Sequence, residues 1–292
     1  MKKLITLAAI FTISFSGAVT AKQLTFGISL STLNNPFFVS LKEGAVAKAK
    51  QLGVKLIVVD SQDNPATEAK NIEDLVTKRV DALLINPTDS SAIVPSIVKA
   101  NRAGIPVFTI DRGASRGKVV SHVASDNVLG GEMAAKFLLE KIGGKGNVVE
   151  LEGIAGTSAA LDRGKGFNKV VGANGKVRVV SRQTANFNRA EGLRVFENIL
   201  QAQPKIDGVF AHNDEMILGA IQAAKAAGRS GIVFVGFDAV DDAVNAVKGG
   251  SLAATVAQKP SLIGELGVKA AYEHLSGKAA VEYIPVPLAL VK

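Results

Sequence analysis

The chain has no cysteine, no tryptophan, two tyrosines and three histidines in 292 residues. Without cysteine it can form no disulfide framework and no thiolate metal site, and it offers no thiol for a lipid anchor, so core burial alone must hold the fold. His122, His212 and His274 show no metal-ligand spacing, and neither a metal nor a cofactor is expected. Aromatic residues make up only 5% of the chain. Lys and Arg are scattered through helical stretches with few rings nearby to stack bases, so the net charge of +8 reads as a solvated surface. Nucleic-acid binding is not expected. Beyond the first residues no apolar run approaches the roughly 20 residues that a membrane helix needs.

The beginning of the chain has a different character. Lys2 and Lys3 precede an apolar stretch from Leu4 to Phe15, which ends in the small residues Val19, Thr20 and Ala21. Ser14, Ser16 and Gly17 interrupt that stretch before it is long enough to span a bilayer. This is the plan of a secretory signal peptide, with cleavage expected after Ala21.

About 270 residues then remain, too many for one small core and enough for two domains. Short β-branched runs recur between longer helical patterns: Leu24 to Leu30, Val54 to Asp60, Ala82 to Ile85 and Val107 to Ile110. The rhythm resumes after Ser125, with Asn147 to Leu151, Val177 to Arg182, Gly208 to Ala211, Ile232 to Phe237 and Ala253 to Ala257. Continuous apolar strands alternating with helices predict parallel sheets covered on both faces, and hence an α/β protein of two doubly wound lobes. A helical stretch from Leu262 to Leu275 leads to a tail, Tyr283 to Val291, in which Pro285 and Pro287 permit only edge or irregular structure. No Gly/Ser-rich or Pro-rich linker separates the halves, which favours short crossings over a flexible tether.

In doubly wound sheets ligands sit beyond the carboxyl ends of the strands, and there the chain concentrates hydrogen-bonding and aromatic side chains. Ser31, Asn35, Phe37 and Phe38 follow the first predicted strand, Asn86 the third, and Asp111 and Arg112 the fourth. In the second half come Arg163 in the next helix, Phe187, Asn213, Asp238 and finally Gln258. Such a set suits a sugar. Each hydroxyl both donates and accepts, so a buried sugar needs donors and acceptors together, while the rings can cover its C–H faces. Each residue also has a structural explanation: Asn34 and Asn35 before Pro36 suit a turn and a helix cap, Asp111 and Arg112 a surface ion pair, and any one Phe the core.

Several segments are familiar: STLNNPFF at 31–38, LLINPTD at 83–89, DNVLGG at 126–131, GIAGTSAA at 153–160, HNDEM at 212–216, VGFD at 235–238 and AATVAQ at 253–258. Over nearly all of the chain after Ala21 they resemble the bacterial periplasmic ribose-binding proteins, a family with the type I periplasmic binding protein fold. Carried over position by position, that family's pocket falls on the same twelve residues, Ser31 to Gln258. The resemblance further implies three hinge crossings, with one lobe formed by 22–125 and 258–286 and the other by 126–257 and 287–292. It implies a monomer in the periplasm that binds ribose and delivers it to an inner-membrane ABC sugar permease, with a chemotaxis receptor as a second candidate partner. Two departures stand out: His212, where the family often has Gln, and Leu161 with Asp162 ahead of Arg163.

Three other readings compete. Asp111 and Asp238 could form the carboxylate pair of a riboside hydrolase, but one of them must then have a raised pKa, and Arg112 beside Asp111 argues against that. The Gly-rich stretch 153–158 lacks the Lys of a P-loop. A sugar-responsive repressor would need an N-terminal helix-turn-helix, which has no place here. A sister protein for allose, xylose or a furanosyl signal differs only in the pocket.

Overall fold

The computed structural model describes residues 22–292; the predicted signal segment, 1–21, lies outside the described residues. Strands β1 (Thr25–Leu30), β2 (Lys55–Asp60), β3 (Ala82–Ile85), β4 (Val107–Ile110) and β5 (Ser121–Ser125) belong to a first sheet. Strands β6 (Gly146–Glu152), β7 (Val177–Thr184), β8 (Gly208–Ala211), β9 (Val233–Asp238) and β10 (Ala254–Ala257) belong to a second. The last two strands divide: β11 (Tyr283–Val286) joins the first sheet and β12 (Ala289–Val291) the second. The orders are β11-β5-β4-β3-β1-β2 and β12-β10-β9-β8-β6-β7. All pairs are parallel except β12 with β10. Each sheet thus reverses direction beside its first strand, between β1 and β3 and between β6 and β8, and leaves a crevice there.

The strands formed where buried apolar runs predicted them, because a sheet covered on both faces needs apolar residues in both directions. Ala82–Ile85, Val107–Ile110 and Gly208–Ala211 are buried throughout. Ser121–Ser125 is a strand that the sequence reading did not pick out. Its Ser-His-Val-Ala-Ser composition carries no β-branched run, and neighbours on both sides, β4 and β11, hold it in place. Both tail strands lie at sheet edges, the placement that proline allows.

Nine helices connect the described strands. The first lobe carries α1 (Pro36–Gln51), α2 (Pro65–Thr77), α3 (Val94–Arg102) and α9 (Pro260–Leu275); the second carries α4 (Asn127–Lys141), α5 (Ser158–Gly172), α6 (Arg189–Ala202), α7 (Asp214–Ala226) and α8 (Asp241–Lys248). The chain passes between the sheets three times, from β5 to α4, from β10 to α9 and from β11 to β12. Pro36 and Pro65 occupy first helical turns, where the missing N–H costs nothing, behind Asn35 and Asn64 as N-caps. Gly53 and Gly104 follow helix ends with φ of +66° and +75°, a conformation that glycine adopts without strain.

Each sheet is packed on both faces. Phe26, Ile28, Leu41, Phe108 and Ile263 fill one side of the first sheet, and Ile72, Leu75, Leu83 and Ile97 the other. Phe196, Val209, Met216 and Ile217 fill one side of the second, and Leu138, Phe167, Phe210 and Phe237 the other. The closest helix pairs are α1 with α9, α4 with α5, and α6 with α7, and each pair meets at reciprocal glycines: Gly44 with Gly264, Gly131 with Gly166, and Gly192 with Gly219. A Cβ at Gly264 would run into the Leu41 carbonyl oxygen, and one at Gly44 into that of Ser261. Because those contacts are to backbone, no rotamer change relieves them. Gly264→Ala should therefore destabilise the protein by about 1 to 3 kcal/mol despite alanine's better helix propensity. Urea unfolding measures this, and an unchanged or raised midpoint would contradict the close approach.

Candidate functional site

The loops leaving the carboxyl ends of both sheets meet around a small, partly open cavity. Asn35, Phe37, Phe38, Asp111 and Arg112 line it from the first lobe, and Ala159, Arg163, Phe187, Asn213 and Asp238 from the second. The remaining residues singled out in the sequence stand behind this wall. The Ser31 amide donates to Asn86 Oδ1 at 3.2 Å, and Asn86 Nδ2 donates to Asp111 Oδ2 at 3.1 Å. Gln258 Nε2 donates to Asp238 Oδ1 at 2.9 Å. All twelve residues are buried.

Local structure explains how these side chains are aimed. Asn35 Oδ1 accepts from the Phe37 amide at 2.9 Å, and Asn213 Oδ1 from the Met216 amide at 3.0 Å. Both asparagines are thus N-caps, of α1 and α7, as well as cavity residues. Asp111, Phe187 and Asp238 have φ of 62°, 56° and 118°. Such conformations cost about 1 to 3 kcal/mol for residues with a side chain and persist only where the surroundings impose them. Phe37 and Phe38 leave α1 with their rings edge to face, 5.2 Å apart at 89°.

Charge dominates the interior. Arg163 Nε donates to Asn127 Oδ1 at 2.8 Å and its Nη1 to the His212 carbonyl at 2.5 Å, while Nη1 lies 3.6 Å from Asp238 Oδ1. Its guanidinium also stacks over Phe237, 3.8 Å from the ring centroid. The Arg112 guanidinium sits between Phe38 of one lobe and Phe187 of the other, at 5.1 and 5.2 Å. Its nearest carboxylate by geometry is Asp63, with Nη1 4.0 Å from Oδ1.

Burial raises the Asp111 carboxyl above the ordinary carboxylate range, although Arg163, Arg112 and the bond from Asn86 pull it down. Burial likewise raises Asp238 to about 7, with Arg163 opposing. Arg112 falls below its usual value because burial removes its hydration, against the pull of Asp111 and Asp63. This corrects the expectation that Arg112 would hold Asp111 low: loss of solvent outweighs the neighbouring charge.

Among the described residues, the buried polar side-chain atoms with no partner in the protein are Ser31 Oγ, Asp111 Oδ1, Ser125 Oγ and Gln258 Oε1. Three of the four belong to residues picked out from the sequence. Buried atoms of this kind cost about 1 to 3 kcal/mol each unless something bonds to them. Outside the cavity the lobes touch directly, the Ser90 amide donating to the Gly156 carbonyl at 3.1 Å and the Gly113 amide to Ser158 Oγ at 2.8 Å.

Residues 26–279 match the family model described as a periplasmic binding protein domain. The chain belongs to the periplasmic binding protein family. It is 50% identical to the ribose import binding protein RbsB of Haemophilus influenzae, with 100% of this chain and 99% of that one covered. It is 51% identical to the ribose import binding protein RbsB of Bacillus subtilis, over 94% of this chain and 89% of that one. A solved periplasmic solute-binding protein of an ABC transporter from Actinobacillus succinogenes, with bound D-allose, superposes with a TM-score of 0.87 at 32% identity, covering 92% of this chain and 98% of that one.

The sequence reading missed Ala159, Asn127 and Asp63. Ala159 was within reach, since it lies four residues before Arg163 and so on the same face of α5. Asn127 and Asp63 act through an arginine and carried no positional signal.

Asp238 yields a prediction. Its folded value lies above its unfolded one, so the folded protein holds an extra proton between about pH 4 and about 7. The associated stability is present below that window and is lost as pH rises through it. Asp238→Asn should flatten the fall in unfolding temperature, measured without sugar, between roughly pH 4 and pH 7. A slope identical to the parent's would show that this carboxyl is ionised throughout.

Proposed function

We propose that the protein binds ribose between its two lobes in the periplasm and delivers it to an ABC-type importer. The observation that carries this reading is the convergence, from both lobes, of charged and amide groups with unpartnered buried oxygens and three phenylalanine rings on one small cavity. A pentose supplies hydroxyls that both donate and accept, and apolar faces for the rings. The choice of ribose rests on relatives at about half identity over 89% or more of their length that bear that name, whereas the D-allose-bound structure shares only 32% identity.

In this proposal Asn35, Asp111 and Arg112, with Ser31 and Asn86 behind them, bind from a lobe of 22–125 and 258–286. Arg163, Asn213 and Asp238 bind from a lobe of 126–257 and 287–292, with Gln258 at the crossing. Phe37, Phe38 and Phe187 cover the ring. The segment 1–21 serves for export and is removed after Ala21. The site binds and does not catalyse. Asp111 and Asp238 are each tied to a neutral amide, from Asn86 and Gln258, and Asp238 also faces Arg163, an arrangement that fixes hydroxyls rather than activating water. Release of a free base from ribosides would reverse that assignment.

Titration calorimetry against ribose, allose, xylose and arabinose tests the sugar, with ribose expected to bind most tightly. Arg112→Ala should weaken ribose binding by about 1.5 to 3 kcal/mol, the range for hydrogen bonds to charged groups, while Lys48→Ala, on α1 and outside the cavity lining, should not. Equal affinity in a folded Arg112→Ala protein would place the site elsewhere. Because the pocket draws on both lobes, small-angle scattering should show a smaller radius of gyration on adding ribose. No change would remove closure from the mechanism.

A further inference from the structure

His212 lies behind the cavity wall, at the end of β8, and is almost completely buried. Its Nδ1 receives the Gly153 amide at 3.3 Å, and its Nε2 lies 3.0 Å from Glu150 Oε1. A backbone N–H can only donate, so Nδ1 is the acceptor and Nε2 carries the proton given to Glu150. The imidazole is therefore neutral in this arrangement.

Three cavity residues depend on its position. The His212 carbonyl accepts from Arg163 Nη1. Asn213 is the next residue, and its Nδ2 donates to the Phe187 carbonyl at 3.2 Å. Gly153, held by the ring, packs so tightly against the face of Phe187 that any Cβ there would enter the phenyl ring. On its far side the ring is backed by Gly164 of α5, where a Cβ would stand 3.2 Å from His212 Cε1. One side chain thus ties the ends of β6 and β8 to α5 at the point where they present Arg163, Asn213 and Phe187.

We propose that His212 is a positioning residue for the bound sugar: its ring, accepting from Gly153 and donating to Glu150, holds the strand ends that present Asn213 and the acceptor of Arg163 and the turn that packs on Phe187. This inference rests on the sugar-binding reading above. A side chain with no acceptor at the Nδ1 position would lose the Gly153 amide and with it the tie to the turn that packs on Phe187. Glu150 is held below its usual value despite burial, first by the His212 ring and then by Arg182, whose Nε donates to Glu150 Oε2 at 2.7 Å.

The test compares the parent with His212→Gln, whose side chain can accept from Gly153 and donate to Glu150, and with His212→Ala, which can do neither. At about pH 7.5 ribose affinities measured by calorimetry should agree for the parent and His212→Gln, and His212→Ala should be roughly three- to tenfold weaker, the worth of one hydrogen bond. A folded His212→Ala protein that binds ribose as tightly as the parent, or a His212→Gln protein as weak as His212→Ala, would overturn the proposal. Imidazole nitrogen shifts give an independent reading, since the chain has only three histidines. A proton on Nδ1 of His212 at that pH would also overturn it. If ribose fails to bind the parent at all, the sugar assignment falls, while the nitrogen shifts still decide the state of the ring.

Discussion

Two arginines and two aspartates are buried together at the seam between the lobes, and the rest of the site is organised around the cost of that burial. Taking a charge out of water is expensive unless it is paired and hydrogen-bonded. Here the pairing is incomplete: Arg163 stands 3.6 Å from Asp238, Arg112 lies between two rings, and Asp111 Oδ1 has no partner in the protein. Bringing the lobes together without a polyhydroxylated molecule leaves these groups poorly satisfied, and the raised carboxyls of Asp111 and Asp238 express that strain. Direct contacts such as Ser90 to Gly156 are backbone bonds at the rim and return little of the cost. On the proposed function, closure and ligand binding are therefore coupled by electrostatics before any movement is considered.

The two lobes reach this arrangement by the same local devices. The fourth strand of each lobe ends at an aspartate with positive φ, Asp111 and Asp238, and the third at an asparagine, Asn86 and Asn213. The second strand of each is followed by two left-handed residues and an asparagine cap: Gln62, Asp63 and Asn64 in one lobe, Asn186, Phe187 and Asn188 in the other. In one lobe this bend delivers Asp63 towards Arg112, and in the other it delivers Phe187 to the cavity. One backbone solution thus serves an ionic contact on one side and an apolar wall on the other. The repeated left-handed positions account for strain at a site that ordinary packing would not tolerate.

Much of this was legible in the sequence, for a physical reason. A parallel sheet covered on both faces demands short apolar runs, and its carboxyl ends are the only place where polar residues can gather in a crevice. The polar and aromatic residues just beyond each run therefore pointed to Asn35, Asp111, Arg163 and Asp238 without coordinates. The features that escaped depend on partners distant in the chain. Strand β5 has an ordinary composition and is made a strand by β4 and β11, and the Tyr283 hydroxyl that donates to the Ala124 carbonyl lies 159 residues away along the chain. The glycine pairs that let helices approach look like ordinary helix glycines until their partners are known. The state of Asp111 was misjudged because Arg112 is visible in sequence and the depth of burial is not.

The asparagines show why cap and ligand group need not be alternatives. Capping uses the oxygen: Asn35 Oδ1 and Asn213 Oδ1 accept from the helix amides beyond them. Those bonds set the orientation of each amide and leave its nitrogen, a donor, turned away from the helix. The cap thus decides which group each residue can offer, and both offer N–H. Arginine adds only donors, so Asn35, Asn213, Arg112 and Arg163 together form a wall that recognises lone pairs. Acceptors must come from elsewhere, and they come from Asp111 and Asp238 with Gln258 Oε1 and Ser31 Oγ close behind. A ligand with only acceptors would leave the carboxylates unsatisfied, and one with only donors would waste the arginines. Hydroxyls on adjacent carbons, each giving one hydrogen bond and receiving another, satisfy both walls at once, and this is the chemistry that the caps on α1 and α7 already prescribe.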